Sequence, residues 1–180
     1  MKDHRLQVQE VLKRLRQHHL YCKLEKCVFE QPSMPFLGYI ISGSGLEMDP
    51  AKVQAILKWP KPNTLKSIQR FLGFANFYQR FIKGFSAIVA PITALTQKEA
   101  NPREWSPAAE AAFLHLKQAF TTAPVLRQPN TNKAFVLEVD ASADAVGAVL
   151  SQRSEDNKLH PCGFFSKKFL PEERNYTIGE

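Results

Sequence analysis

The run Val139-Asp140-Ala141-Ser142 sets a carboxylate inside an apolar, β-prone stretch, and Gly147-Ala148-Val149-Leu150 follows shortly after it. An acid inside such a strand incurs a desolvation cost unless something pairs with it. A divalent cation is one such partner. Phosphodiester hydrolysis often uses two such ions, held by carboxylates, to activate water and stabilise the leaving oxygen. Asp140 is therefore a candidate metal ligand and catalytic carboxylate. Two plainer readings stay open: a strand-end Asp solvated by water, or one that caps a turn with Ser142.

A second chemistry-bearing stretch runs from Phe71 to Phe85, rich in aromatics and interleaved with Arg80 and Lys83, with Arg70 just before it. Basic residues on a helix can contact phosphates, and aromatic rings can stack on exposed bases. Helical spacing puts Ile68, Phe71 and Leu72 on one face, so most of these rings are read as core. Arg70, Arg80 and Lys83 are left as candidates for tracking a nucleic-acid backbone, the alternative being solvated surface charge. His18-His19 does not read as a metal pair, because adjacent helical residues diverge by about 100°. Cys22 and Cys27 lack a CxxC spacing and a neighbouring His, so no zinc site is expected.

The elements that must position these residues can be read from period and punctuation. Residues 4–19 form a helix with the stripe Val8, Val11, Leu12 and Leu15. Leu20–Leu24 and Cys27–Glu30 are short β-prone stretches. Pro35–Ser42 reads as a stronger strand, Gly43-Ser44-Gly45 as a turn, and Leu46–Met48 as its returning partner. Asp49-Pro50 opens a helix, with Asp as N-cap and Pro at the first helical position. Its apolar face is Val53, Ile56 and Leu57, and Trp59-Pro60-Lys61-Pro62 ends it. Asn63 or Thr64 caps the next helix, whose stripe is Ile68, Phe71, Leu72 and Ala75, continuing through Tyr78, Phe81 and Ile82. A short helix over Ile88–Leu95 is expected to break or kink near Pro91.

Residues 96–104 read as a linker. Trp105-Ser106-Pro107 repeats the cap-then-proline start, for a helix with Ala112, Phe113, Leu116 and Phe120 inward. Ala123–Leu126 is short and extended. From Ala134 the period changes to two, with strands from Phe135, over Ala145–Gln152 and over His160–Phe169. Short loops between them predict an antiparallel meander, and the chain reads as α+β.

Composition bounds the function classes. The chain has 180 residues, 44% hydrophobic and 23% charged, a balance that excludes wholesale disorder. No apolar run approaches the ~18 residues of a membrane span. The start Met1-Lys2-Asp3-His4-Arg5 has no apolar core, so no secretory signal is expected there. Three cysteines make a reduced intracellular compartment the default. Charge is uneven: residues 1–98 carry 15 Lys+Arg and 6 Asp+Glu, net +9, and residues 99–180 carry 9 and 11, net −2. That pattern suits a polyanion-binding surface beside a carboxylate-bearing one, or a basic face that serves solubility alone.

The colinear motifs KLEKCVFE (23–30), FLGYIIS (36–42), the DP-started helix with WPKP (59–62), RFLGFANFYQRFIKGFS (70–86), AFxxLKxxFxxAPVL (112–126), VDAS (139–142), GAVLSQ (147–152) and ERNY (173–176) carry a resemblance. Together they resemble the polyprotein of gypsy-like long-terminal-repeat retrotransposons, the vertebrate sushi-type elements most of all. The resemblance covers essentially the whole chain.

It implies a domain map. Residues 1–48 correspond to the end of the reverse-transcriptase palm, 49–98 to the thumb, 99–132 to a helical connector, and 133–180 to the first part of a ribonuclease H-like domain. It implies a primer-grip role for Phe36, Leu37, Gly38 and Tyr39. A strand glycine lets a nucleic-acid backbone come close, and Tyr39 offers a hydroxyl and a ring; a plain core hairpin is the alternative. It implies magnesium at Asp140, the first of four acids in the family's ribonuclease H. The partners implied are an RNA–DNA hybrid or template–primer duplex and the rest of the polyprotein, with no membrane.

The family's Tyr-x-Asp-Asp hairpin is not found in the sequence, and its second ribonuclease H acid falls two residues beyond Glu180 in this register, so Glu180 is not assigned that role. The chain is thus expected to be a fragment without polymerase or nuclease activity of its own. The rivals are a non-catalytic nucleic-acid-binding module, a connection-type domain with a structural sheet, and a decayed remnant.

Overall fold

In the computed structural model, residues 2–170 and 172–175 are described. Glu180, and Tyr176 of the ERNY motif, lie outside the described residues. The chain divides into two compact units, Met1–Pro32 and Ser33–Glu180. Mixed helices and antiparallel strands make it α+β. Among the described residues no helix is long and apolar enough to cross a membrane.

The first unit is built on helix α1 (Lys2–Gln17). The helix ends in a paired-hydrogen-bond stop: Leu20 N–H donates to Leu15 O and His19 N–H to Arg16 O, with His19 at φ +57°. This is the Schellman arrangement, with a histidine in the left-handed position usually taken by Gly. His18 and His19 thus terminate a helix and are exposed, as expected of surface residues. Among the described residues, the two β-prone stretches after it pair with no strand. Leu24–Lys26 is a 3-10 turn, and the chain returns until Arg5 Nε meets Glu30 Oε1 at 2.6 Å. A strand needs a partner for its backbone groups, and β propensity alone does not supply one.

The second unit opens with strands β1 (Ser33–Phe36), β2 (Tyr39–Ser42) and β3 (Gly45–Met48) in one antiparallel sheet. The expected single strand over Pro35–Ser42 is a hairpin instead. Phe36 pairs with Tyr39, and Leu37 and Gly38 between them sit at φ +49° and +83°. Two consecutive left-handed residues make the tight turn whose twist matches antiparallel strands.

Four helices follow: α2 (Pro50–Leu57), α3 (Leu65–Phe77), α4 (Phe85–Ala94) and α5 (Pro107–Thr121). The starts of α2, α3 and α5 follow the expected capping. Asp49 accepts from Ala51 N–H at 2.8 Å, Thr64 and Ser67 exchange bonds in a capping box, and Ser106 accepts from Ala109 N–H at 3.2 Å. Helix α3 stops at Phe77, and a 3-10 turn (Gln79–Phe81) carries its apolar stripe onward. Helix α4 begins three residues earlier than expected and keeps Pro91 inside it. Proline deprives the carbonyl four residues back of its donor; that residue is Ala87, which is exposed.

One core runs through this unit. Ile56, Ile68, Phe71, Phe81, Ile92, Leu116, Phe120 and Leu126 are all essentially buried. It joins helices on both sides of position 98, so that boundary divides sequence and not packing. Lys117 fastens α5 to α2 by donating to Leu57 O at 2.9 Å and Trp59 O at 2.6 Å, its ammonium 4.5 Å from the Phe113 ring centroid. Burial holds its pKa below the usual lysine value.

The last layer is a meander of β4 (Phe135–Ala141), β5 (Ala145–Arg153) and β6 (Leu159–Lys168), as expected. Residues 126 and 127 stitch the two sheets together. Leu126 exchanges backbone bonds of 2.7 and 2.9 Å with Leu46 of β3, and Arg127 N–H donates to Pro161 O of β6 at 2.8 Å. Gly45 permits the first contact, since a Cβ there would lie 2.2 Å from Leu126 O. Buried Gln152 holds the polar loop before β4, accepting from Asn130 N–H at 2.8 Å and donating to Asn130 O at 2.8 Å and Lys133 O at 3.2 Å.

The sheet's faces are allotted against hydropathy. Phe164 packs on the helical core, and Asp140, Gly147 and Ser166 lie across from one another on the same face. The opposite face leaves Phe135, Leu137, Val139, Leu150 and Phe165 exposed. A contiguous apolar face of this kind drives association. Leu137→Lys with Val139→Lys is expected to lower aggregation of the chain and its binding of a hydrophobic dye, read by light scattering and fluorescence; no change in either would refute a role for this face.

Lys117→Met should lose the two bonds to the end of α2 and leave their carbonyls without a charged donor. A destabilisation of about 1–2 kcal/mol in a urea melt is expected.

Candidate nucleic-acid interface and carboxylate site

The hairpin tip is held by two tyrosines that reach across each other. Tyr78 Oη donates to Gly38 O at 3.0 Å, and Tyr39 Oη donates to Phe77 O at 3.2 Å. The Tyr39 ring stacks on Phe77 and Phe81, with centroids 5.1 and 5.7 Å away. A Cβ on Gly38 would lie 2.7 Å from Tyr78 Oη. Two expectations change here. Gly38 sits in the turn and not in a strand, and the group that approaches it closely is Tyr78. The Tyr39 hydroxyl and ring are engaged inside the protein. What the tip presents outward is Phe36, 52% exposed, and Leu37, 71% exposed, with Phe77 half-exposed beside them.

Burial raises the pKa of both tyrosines. For Tyr39, nearby Arg80 partly offsets the rise. Tyr78 is pushed up to about 12 by burial first, then by Tyr39 and Asp49. Arg80 also lies within electrostatic reach of Cys162, a buried thiol whose pKa burial raises.

Arg70, Arg80 and Lys83 are all exposed, and among the described residues none forms an ion pair. Arg70 shares a face of α3 with Phe77, by i, i+7 spacing. Of the three, Lys83 lines a groove together with Asp140. A groove of about 460 Å³ has Lys83, Gly84, Ser86 and Ala87 on one wall and Glu138, Asp140 and Ser142 on the other.

Asp140 is exposed at the penultimate position of β4. The desolvation cost expected for it is not incurred, because water reaches the carboxylate. Ser142 does cap the turn, but around Ala145: Ala145 N–H donates to Ser142 Oγ at 3.2 Å and Ser142 N–H to Ala145 O at 2.9 Å. Asp144, within the turn, pairs with Arg174 at 3.1 Å.

A hard cation needs several oxygen ligands held together. Among the described residues no three His, Cys, Asp or Glu side chains converge in that way. Asp140 and Glu138 share the groove with the positive Lys83, so these residues by themselves do not make a magnesium site.

Sequence reasoning read Tyr78 only as part of an apolar stripe and passed over Lys117, Gln152 and the Ser86–Ser166 contact. Their roles depend on partners 19 or more residues away. No local signal marks them, though the abrupt glycine after Leu37 marks the turn that Tyr78 holds.

Residues 105–180 match the family described as an RNase H-like domain found in reverse transcriptase. Over 178 residues, 99% of the chain, it is 34% identical to the Transposon Tf2-3 polyprotein of Schizosaccharomyces pombe and equally to the Tf2-4 polyprotein. The chain spans 13% of the length of these relatives. A foamy viral protease-reverse transcriptase solved in complex with RNA/DNA hybrid is similar over 98% of this chain and 24% of its own, at TM-score 0.79 and 23% identity. Another, solved with double-stranded DNA, covers 98% of this chain and 31% of its own at TM-score 0.80 and 24% identity. The fold is that of the reverse transcriptase–RNase H region.

The tyrosine pair has a pH signature. Unfolded Tyr78 ionises near 10 and folded Tyr78 near 12. Between those values the unfolded state binds fewer protons, so stability falls as pH rises. The expected slope is about 1.4 kcal/mol per pH unit from this group, with full stability kept below pH ~10. Tyr78→Phe should remove most of that alkaline limb and cost about 1 kcal/mol at neutral pH by losing the bond to Gly38. Urea melts at neutral and alkaline pH check both.

Proposed function

Because this chain belongs to the reverse transcriptase–RNase H region of gypsy-like long-terminal-repeat retrotransposon polyproteins, we propose that it grips an RNA–DNA hybrid or template–primer duplex for the enzyme of which it is a stretch. The parent activities on this reading are RNA-directed DNA synthesis and hydrolysis of RNA in the hybrid. The observation that supports it is the groove in which Lys83, from the helical layer, faces Asp140, from the sheet. A phosphate-seeking cation and a candidate catalytic carboxylate share one cleft.

The proposed map assigns 1–48 to the end of the palm, 49–98 to the thumb, 99–132 to the connector and 133–180 to the start of the RNase H-like domain. The hairpin tip is the proposed primer grip, with Phe36 and Leu37 making apolar contact to the nucleic acid. Gly38 and Tyr39 act there by holding the turn to α3. Arg70, Arg80 and Lys83 contact phosphates without reading sequence. Asp140 is the proposed contribution of this stretch to a magnesium site. The remaining ligands would come from elsewhere in the polyprotein, whose relatives are far longer than this chain.

For the stretch itself the function proposed is binding without cleavage. The pure chain should bind a labelled RNA–DNA hybrid at low salt and lose affinity steeply as salt rises. Each of Arg70→Ala, Arg80→Ala and Lys83→Ala should lower the log–log salt slope by about one. Unchanged slopes in all three would remove the assigned interface. With magnesium added, the hybrid should stay intact; cleavage by the pure chain that vanishes in Asp140→Asn would falsify the non-catalytic reading.

A further inference from the structure

A second cleft adjoins the Asp140 groove. Ser86 N–H at the start of α4 donates to Ser166 Oγ of β6 at 2.8 Å. Ser86 and Ser166 line the Asp140 groove on one side and this second cleft on the other. The second cleft, of about 490 Å³, runs between the end of α3, helix α4 and the end of β6.

Its chemistry is one-sided. Asn76, Gln79, Gln97, Lys167 and Lys168 line it, and among the described residues no carboxylate does. Among the described residues, the carboxamides of Asn76, Gln79 and Gln97 make no hydrogen bond, and all three residues are exposed. Lys167 is paired with Glu173, which stands outside the lining, and Lys168 has no ion-pair partner among the described residues. The buried hydroxyl oxygen of Ser86 also has no partner.

Uncommitted carboxamides, the free Ser86 hydroxyl and an ammonium without an ion-pair partner, with no acid among the described lining residues, suit a ligand that is all acceptor and negatively charged. Phosphodiester oxygens are such acceptors, and Asn, Gln, Ser and Lys are among the side chains that contact them. Val89, Ala90 and Ala94 supply an apolar floor against which a sugar can lie.

We propose that this cleft is a phosphodiester-binding track that continues the Asp140 groove across the Ser86–Ser166 saddle, so that one nucleic-acid strand runs through both. This rests on the nucleic-acid reading above and adds residues that it does not use. Gln79, Gln97 and Lys168 are positioning residues: they hold the strand on one side of Asp140 and touch no reacting atom.

The test measures binding of a fluorescently labelled RNA–DNA hybrid to the full chain by anisotropy across a salt series. Gln79→Glu with Gln97→Glu keeps size and puts two carboxylates into the cleft. Gln118→Glu, an exposed change on α5 outside both clefts, is the control for charge alone. The double variant should lose at least about tenfold in low-salt affinity, against little change in the control. Lys168→Ala should lower the log–log salt slope by about one. Thermal midpoints equal to that of the parent chain exclude unfolding as the cause.

If the cleft variants match the control while Arg70→Ala, Arg80→Ala and Lys83→Ala still weaken binding, the track is overturned and the nucleic-acid interface stands. If the unaltered chain fails to bind at low salt, both fall together.

Discussion

Burial of the aromatic cluster around Tyr78 is the constraint on which the other parts depend. Its ring meets Tyr39 of β2, Phe74 and Phe77 of α3, Phe81 of the following turn and Phe120 of α5, at centroid distances of 4.9–6.5 Å. Large rings bury much apolar area and gain further from tilted and edge-on contacts. A ring with a hydroxyl can do this only where the hydroxyl finds an acceptor. Gly38 O is that acceptor, so burial of Tyr78 and placement of the hairpin turn are one event.

From that cluster the arrangement spreads in two directions. Through Phe120 and Phe71 it reaches α5 and α2, whose junction Lys117 closes with its two bonds to carbonyls. Through Phe81 and the turn that carries it, the helical layer meets β6, where Ser166 receives the Ser86 N–H. The carboxylate face of the last sheet is thereby turned toward the helices, and its apolar stripe on β4 is left open. Both clefts lie at the sheet–helix margin because the core fills the space between the helices with rings.

The proposed functional surface is accordingly a margin and not a pocket in the core. Arg80, Lys83 and Asp140 are exposed, where their charges incur little desolvation and remain available to a polyanion or a cation. Long cations on short helical segments suit contacts that follow a phosphate backbone without specifying bases. Rigidity comes from what lies beneath them.

The starts of α2, α3 and α5, their apolar stripes and the meander were legible in the sequence because each rests on neighbours within a turn or a strand. Asp49-Pro50, Thr64 with Ser67, and Ser106-Pro107 satisfy helix N–H groups locally, and Ile68, Phe71 and Ala75 share a face by period alone. The colinear motifs likewise identified the family region. Tertiary structure decided the rest. Leu20–Leu24 found no strand partner, Leu37-Gly38 took the left-handed turn that Tyr78 could clasp, and Asp140 came to lie in water across from Lys83 instead of inside a dry strand. Each of those outcomes depends on a group tens of residues distant, and local period and propensity carry no information about which distant group arrives.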